Sequence, residues 1–172
     1  ARVGRWPMER RAALVGAVVG LLAWFAPGVV GGGDAITQQT LSGPETVSML
    51  AVLFLLRFVL GALSYAVGTP GGLFAPMLVL GCQSGVLVGL LCHAWFPGVT
   101  LDVTALGVVG MGGCFIAVVR APVTGIVLVT EMTASFTLLL PMLGACFAAF
   151  VTAELLGNKP IYESLLEREL QR

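Results

Sequence analysis

Charge is the main thing this sequence lacks. Only 10% of its 172 residues are Asp, Glu, Lys or Arg, against about 25% in an ordinary soluble domain. The few charges cancel, nine basic against nine acidic, so there is no electrostatic footprint for nucleic acid. Histidine occurs once, as His93. No HExxH or other nucleophile–base pairing accompanies it, which argues against a membrane enzyme, a catalytic residue set or a resident metal. The four cysteines (Cys82, Cys92, Cys114, Cys146) form no CxxC pair and lie in apolar runs. They read as free buried thiols, not as a disulfide framework. Gly31-Gly32-Gly33 has no phosphate-loop lysine behind it and reads as a turn within a polar connection over residues 27–43.

What is present is apolar sequence. The chain is 58% hydrophobic with a mean hydropathy of +0.99, and its 23 glycines suit close helix packing in lipid. This composition, with its several apolar runs, predicts an integral membrane protein, polytopic and helical. Arg2, Arg5, Arg10 and Arg11 precede the first apolar segment, residues 12–26, and favour the cytoplasmic side. That segment lacks a convincing signal-peptide cleavage pattern. The next helix is expected from Pro44-Glu45 to Val67, with Arg57 at membrane depth. An arginine there faces protein or water, either in an ion pair or drawing anions toward a vestibule.

The chain is organised around residues 68–81, a Gly/Pro-rich break between two apolar runs. A helix starting at Leu73 or Phe74 leaves its first N–H groups without intrahelical partners. Pro76 in the first turn has no N–H to lose, and Gly71 and Gly72 allow close approach to the backbone. In hydrocarbon those donors must meet protein, water or an ion, and the helix dipole favours an anion. A hinge whose donors are met by neighbouring carbonyls has the same spacing. This helix should reach about His93, with Trp95 and Phe96 at the membrane interface. His93 reads as a belt histidine or as a pH sensor.

Asp102 is placed to cap a helix through Val119, in which Gly107, Gly110, Gly112 and Gly113 leave a narrow face for a neighbour. Arg120-Ala121-Pro122 breaks the chain, and a short helix follows to about Met132, enough for part of a bilayer. Glu131 near its end is a structural or proton-handling carboxylate. A further apolar run covers residues 136–154. After Gly157-Asn158-Lys159-Pro160, residues 161–172 read as an amphipathic helix, with Ile161, Leu165, Leu166 and Leu170 on its apolar face. Tyr162 at its start is either an interfacial anchor or a neutral donor able to bind and release an anion.

Gly72-Leu73-Phe74-Ala75-Pro76 resembles the GxFxP signature of the CLC family of chloride channels and chloride/proton antiporters. Gly157 to Tyr162 resembles the segment that carries that family's chloride-coordinating tyrosine. Arg120 to Thr133 is similar to a block of its bacterial members, and the three occur in the family's order. The resemblance covers nearly the whole chain but only the C-terminal half of a full member. It implies an all-α, polytopic membrane fold with tilted and partly broken transmembrane helices, of which residues 1–172 form one half of an inverted-repeat subunit, inactive until joined by an N-terminal half; no cytosolic regulatory domain is expected. It further implies that the amides of Leu73 and Phe74 and the hydroxyl of Tyr162 coordinate a central chloride, while Gly72 and Pro76 shape the helix start. Residues 123–151 would contribute to a homodimer, in a bacterial inner membrane with both ends of the segment cytoplasmic. Chloride is the transported ligand, and no cofactor is implied.

The family's Gly-Ser-Gly-x-Pro and Gly-Arg-Glu-Gly-Pro patterns are absent, and with them its serine ligand and its gating and proton-transfer glutamates. Channel and antiporter therefore stay open, as does selectivity among chloride, nitrate and fluoride. A secondary transporter for another small solute, built on the same broken-helix plan, is the competing reading.

Overall fold

The computed structural model describes residues 8–25, 30, 33–42, 46–67, 72–96, 98 and 100–170. All the regular structure among these residues is helical: α1 (Met8–Phe25), α2 (Asp34–Ser42), α3 (Val47–Val67), α4 (Phe74–Trp95), α5 (Val103–Val119), α6 (Pro122–Thr133), α7 (Leu139–Leu155) and α8 (Ile161–Leu170). Two of them, α3 and α4, are long and apolar enough to cross a membrane among the described residues. Their 21 and 22 residues correspond to about 32 Å at 1.5 Å per residue, close to the hydrocarbon thickness. The 12 residues of α6 reach only about 18 Å.

The centre of the fold is the α4–α5 pair, which packs more extensively than any other. Glycine makes this approach possible. A Cβ built on Gly81 would lie 2.5 Å from the Gly110 carbonyl oxygen, and one on Gly85 would lie 2.1 Å from that of Leu106. The glycine face expected on α5 is therefore real, but it serves three neighbours. Gly107 meets Leu41 of α2 and Val86 of α4, Gly110 meets α4, and Gly112 meets Met142 and Cys146 of α7. Gly113 has no neighbour within 4 Å. Around this pair Leu78, Cys82, Val86, Met111, Ile116 and Val129 form a buried core. Cys82 and Cys146 are buried, and Cys92 and Cys114 partly so, all four as free thiols.

The structure corrects one expectation. The connection over residues 27–43 contains a helix, α2, which packs on α4 and α5. Gly33 has φ 107°, a conformation side chains resist, and its carbonyl accepts the Thr37 N–H at 2.8 Å. Ile36 and Thr40, one turn apart, are buried. Tertiary burial thus supports a helix of only nine residues with little net hydrophobicity, too short to be stable alone.

Asp102 caps α5 as expected: its Oδ1 accepts the N–H groups of Thr104 at 2.9 Å and Ala105 at 3.2 Å. Asp102→Ala is expected to cost about 1 kcal/mol in a thermal-denaturation series. His93 donates from Nε2 to the Leu101 carbonyl at 3.0 Å and so ties the end of α4 to the approach to α5. Trp95 and Phe96 beside it are largely exposed, as interfacial aromatics would be.

Gln83 on α4 is fully buried, and neither amide atom has a hydrogen-bond partner among the described residues. An unmet buried polar group costs about 1–3 kcal/mol. Gln83→Met, similar in volume and free of that penalty, should therefore raise the melting temperature. An unchanged or lower value would mean that the amide is paired in the assembled protein.

Candidate functional site

The start of α4 fixes the geometry. Leu73 is its N-cap with φ −70° and ψ −26° and offers no side-chain cap. The Met77 N–H donates to the Leu73 carbonyl at 3.2 Å, closing the first turn. The amides of Phe74 and Ala75 come before that bond, and Pro76 has none. The Phe74 ring packs edge-on against Phe115, centroids 5.6 Å apart at 75°, which draws the side chain into the core. Gly72 and Pro76 are exposed, and a Cβ on Gly72 would meet nothing within 4 Å. Residues 68–71 lie outside the described residues. A cavity of about 650 Å³ opens beside this helix start, lined by Thr37 and Gln38 of α2, Phe74 and Ala75 of α4, and Met132 and Thr133 of α6.

Tyr162 occupies the first turn of α8 and is 55% exposed. It does not line that cavity. Helix α8 packs on α5 and on no other described helix, so the segment by itself does not bring Tyr162 into contact with α4. Tyr65, in the last turns of α3, is close enough to Tyr162 for the two phenols to interact electrostatically.

Arg120 holds the end of α5. It is in the left-handed conformation, φ 62°, which costs a side-chain-bearing residue about 1 kcal/mol or more. Its side chain is 6% exposed and has four acceptors. Nε donates to Ala117 O at 3.3 Å, Nη1 to Glu154 Oε2 at 2.5 Å, and Nη2 to Ala153 O at 2.6 Å and Asn158 O at 2.9 Å. The guanidinium also lies 5.8 Å from the Phe150 ring centroid. Carbonyls at the ends of α5 and α7 that would otherwise lack partners are thus satisfied by one fork. Beyond it, Lys159 is bonded to Glu167, and that hydrogen bond and charge push the lysine above its ordinary range.

Residues 2–154 match the family model described as voltage gated chloride channel. The chain belongs to this family. Among its relatives, the H(+)/Cl(-) exchange transporter ClcA of Cronobacter sakazakii is 43% identical over 158 residues, 92% of this chain and 34% of the relative. The same-named transporter of Yersinia pestis is 42% identical over 159 residues, 92% and 33% of the two chains. The crystal structure of a slow cyanobacterial Cl-/H+ antiporter has a TM-score of 0.85 at 38% identity, covering 92% of this chain and 37% of that one. The all-helical architecture is therefore that of a chloride/proton antiporter structure, and as a member of this family the protein is an integral membrane protein. The chain spans about a third of the length of the relatives it matches.

Within this segment Gly72, Leu73, Phe74 and Pro76 lie at one helix start, where the sequence places a helix beginning. The sequence alone does not show that Tyr65 comes near Tyr162, or that the Arg120 side chain reaches the link before it. Tyr65 carries no motif, although its place three residues before the break at Gly68 could have drawn notice. Arg57 is partly buried on α3, and Glu131 is exposed near the end of α6.

Proposed function

We propose that this segment supplies part of the ion pathway of a chloride/proton antiporter. The amides at the start of α4, from Leu73 and Phe74, and the hydroxyl of Tyr162 form part of a central chloride site. The observation that carries this reading is the open first turn of α4, entered through an uncrowded Gly72 and backed by the half-buried Phe74 ring, edge-on to Phe115. The identity with H(+)/Cl(-) exchange transporters supports chloride as the guest. Amides and a phenol are neutral donors, which bind an anion without retaining it as a full positive charge would.

The remaining ligands, and the carboxylates that would move protons, come from the part of the subunit beyond this segment. The exposed apolar side chains of Val123, Val127, Leu140 and Phe147 support a homodimer contact over residues 123–151. The relatives being bacterial, the inner membrane is the expected site, with the arginine-rich start of the segment on the cytoplasmic side.

The test is isothermal titration of chloride into the complete subunit and its Tyr162→Phe variant. Removing one hydrogen bond to a charged ligand costs about 1.5–3 kcal/mol, so chloride should bind roughly tenfold or more weakly. Proteoliposomes carrying the same protein should move protons against a chloride gradient. Should no halide bind the complete subunit, the anion site is wrong and another small solute must be sought.

A further inference from the structure

We infer that Arg120 is a positioning residue for Tyr162, setting the entry of α8 and hence the reach of the phenol toward the chloride site. This rests on the reading of Tyr162 proposed above. Helix α8 has little burial of its own to fix it. Tyr162, Leu166 and Leu170 are 55%, 61% and 79% exposed, and its described packing is on α5 alone. Apart from the partly buried Ile161 and Leu165 and the approach of Tyr65 to Tyr162, its direction therefore depends on the link that precedes it.

Besides the surface Lys159–Glu167 pair, that link is gripped from the core by one side chain. Arg120 grips Ala153 and Glu154 in the last turn of α7, and then Asn158, four positions before Tyr162. Between them Gly157 turns the chain with φ 66°, its N–H donating to the Glu154 carbonyl at 2.9 Å. Pro160 then opens α8, its carbonyl accepting both the N–H and the hydroxyl of Ser164 at 3.1 Å. The grip begins at a residue whose own backbone is locked, since the Arg120 N–H donates to Ile116 O at 2.9 Å. The chain runs from the buried core at Ile116 through the guanidinium to the turn before the phenol, with a specified partner at each step. Lysine could not reproduce it, because one ammonium cannot serve acceptors spread across a planar fork.

The experiment uses the complete subunit with Arg120→Lys, Arg120→Gln, Glu154→Gln, Tyr162→Phe and the Arg120→Lys/Tyr162→Phe double variant. Chloride affinity is read by titration and folding by size-exclusion profile. Arg120→Lys should weaken chloride about fivefold, and Glu154→Gln, which alters only a 70% exposed carboxylate, about twofold. The double variant should bind no more weakly than Tyr162→Phe alone, because a positioning effect needs the hydroxyl it positions. A ¹⁹F-tyrosine at position 162 should shift its resonance in both Arg120 variants that fold.

Unchanged affinity in Arg120→Lys and Glu154→Gln, or losses that add to that of Tyr162→Phe, would overturn this inference while leaving the chloride site standing. If Tyr162→Phe itself leaves chloride binding intact, the site reading fails and the inference falls with it. Should Arg120→Gln not fold, the lysine and Glu154 variants still decide.

Discussion

Gly85→Ala in the complete subunit should give little or no monodisperse folded protein. The added methyl would stand 2.1 Å from the Leu106 carbonyl oxygen and 3.0 Å from the Gly107 Cα. These are backbone atoms of a buried helix, which cannot rotate away as a side-chain tip can. The α4–α5 pair would have to part by about an ångström, and overpacking of this kind costs about 3 kcal/mol or more. Gly110→Ala, whose methyl would lie 2.3 Å from the Gly81 carbonyl oxygen, should behave alike. Gly16→Ala on α1, with nothing within 4 Å, should stay within about 0.5 kcal/mol of the parent. Thermal melting in detergent separates the three. Equal melting temperatures would show that α4 and α5 do not approach as closely as the glycines indicate. The damage should also spread, because α6, α7 and α8 all pack on α5.

The same glycines explain why much of the fold was legible in advance. A run such as Gly107, Gly110, Gly112 and Gly113 in apolar sequence announces helix contact, though not which helix takes which glycine. Asp102 announces a cap because capping is local, needing only the next two or three amides. The start of α4 was readable for a similar reason: Gly72 and Pro76 bound it within a few residues. What escaped depends on distance. Helix α2 owes its existence to burial of Ile36 and Thr40 in a tertiary setting. The partners of Arg120 on the far side lie 33 to 38 positions away, so its sequence shows only a break before a proline. Tyr162 is singled out by resemblance alone, and the packing of α8 on α5 is announced by nothing in the sequence. No local pattern states which helix a short amphipathic segment will choose.

Gly72→Val should abolish chloride binding while leaving the melting temperature unchanged. The two halves of that statement have different causes. A Cβ at Gly72 meets nothing within 4 Å, and the residue is exposed and outside α4, so no packing in this segment is lost. Among the described residues a branched side chain there obstructs nothing, so its effect falls on what approaches the helix start from outside. If that is a chloride held by the amides of Leu73 and Phe74, two methyl groups would stand where the ion must come. Without the ion those donors have no equivalent guest. The affinity should fall at least a hundredfold, about 2.7 kcal/mol by the standard relation between free energy and dissociation constant. Gly72→Ala should fall between the parent and valine. Pro76→Ala makes a useful contrast: it relaxes the preset φ and adds one N–H but blocks nothing, so its loss should be small. Full chloride affinity in Gly72→Val would mean that the anion does not approach the start of α4 by this route, and the helix break would then read as a hinge.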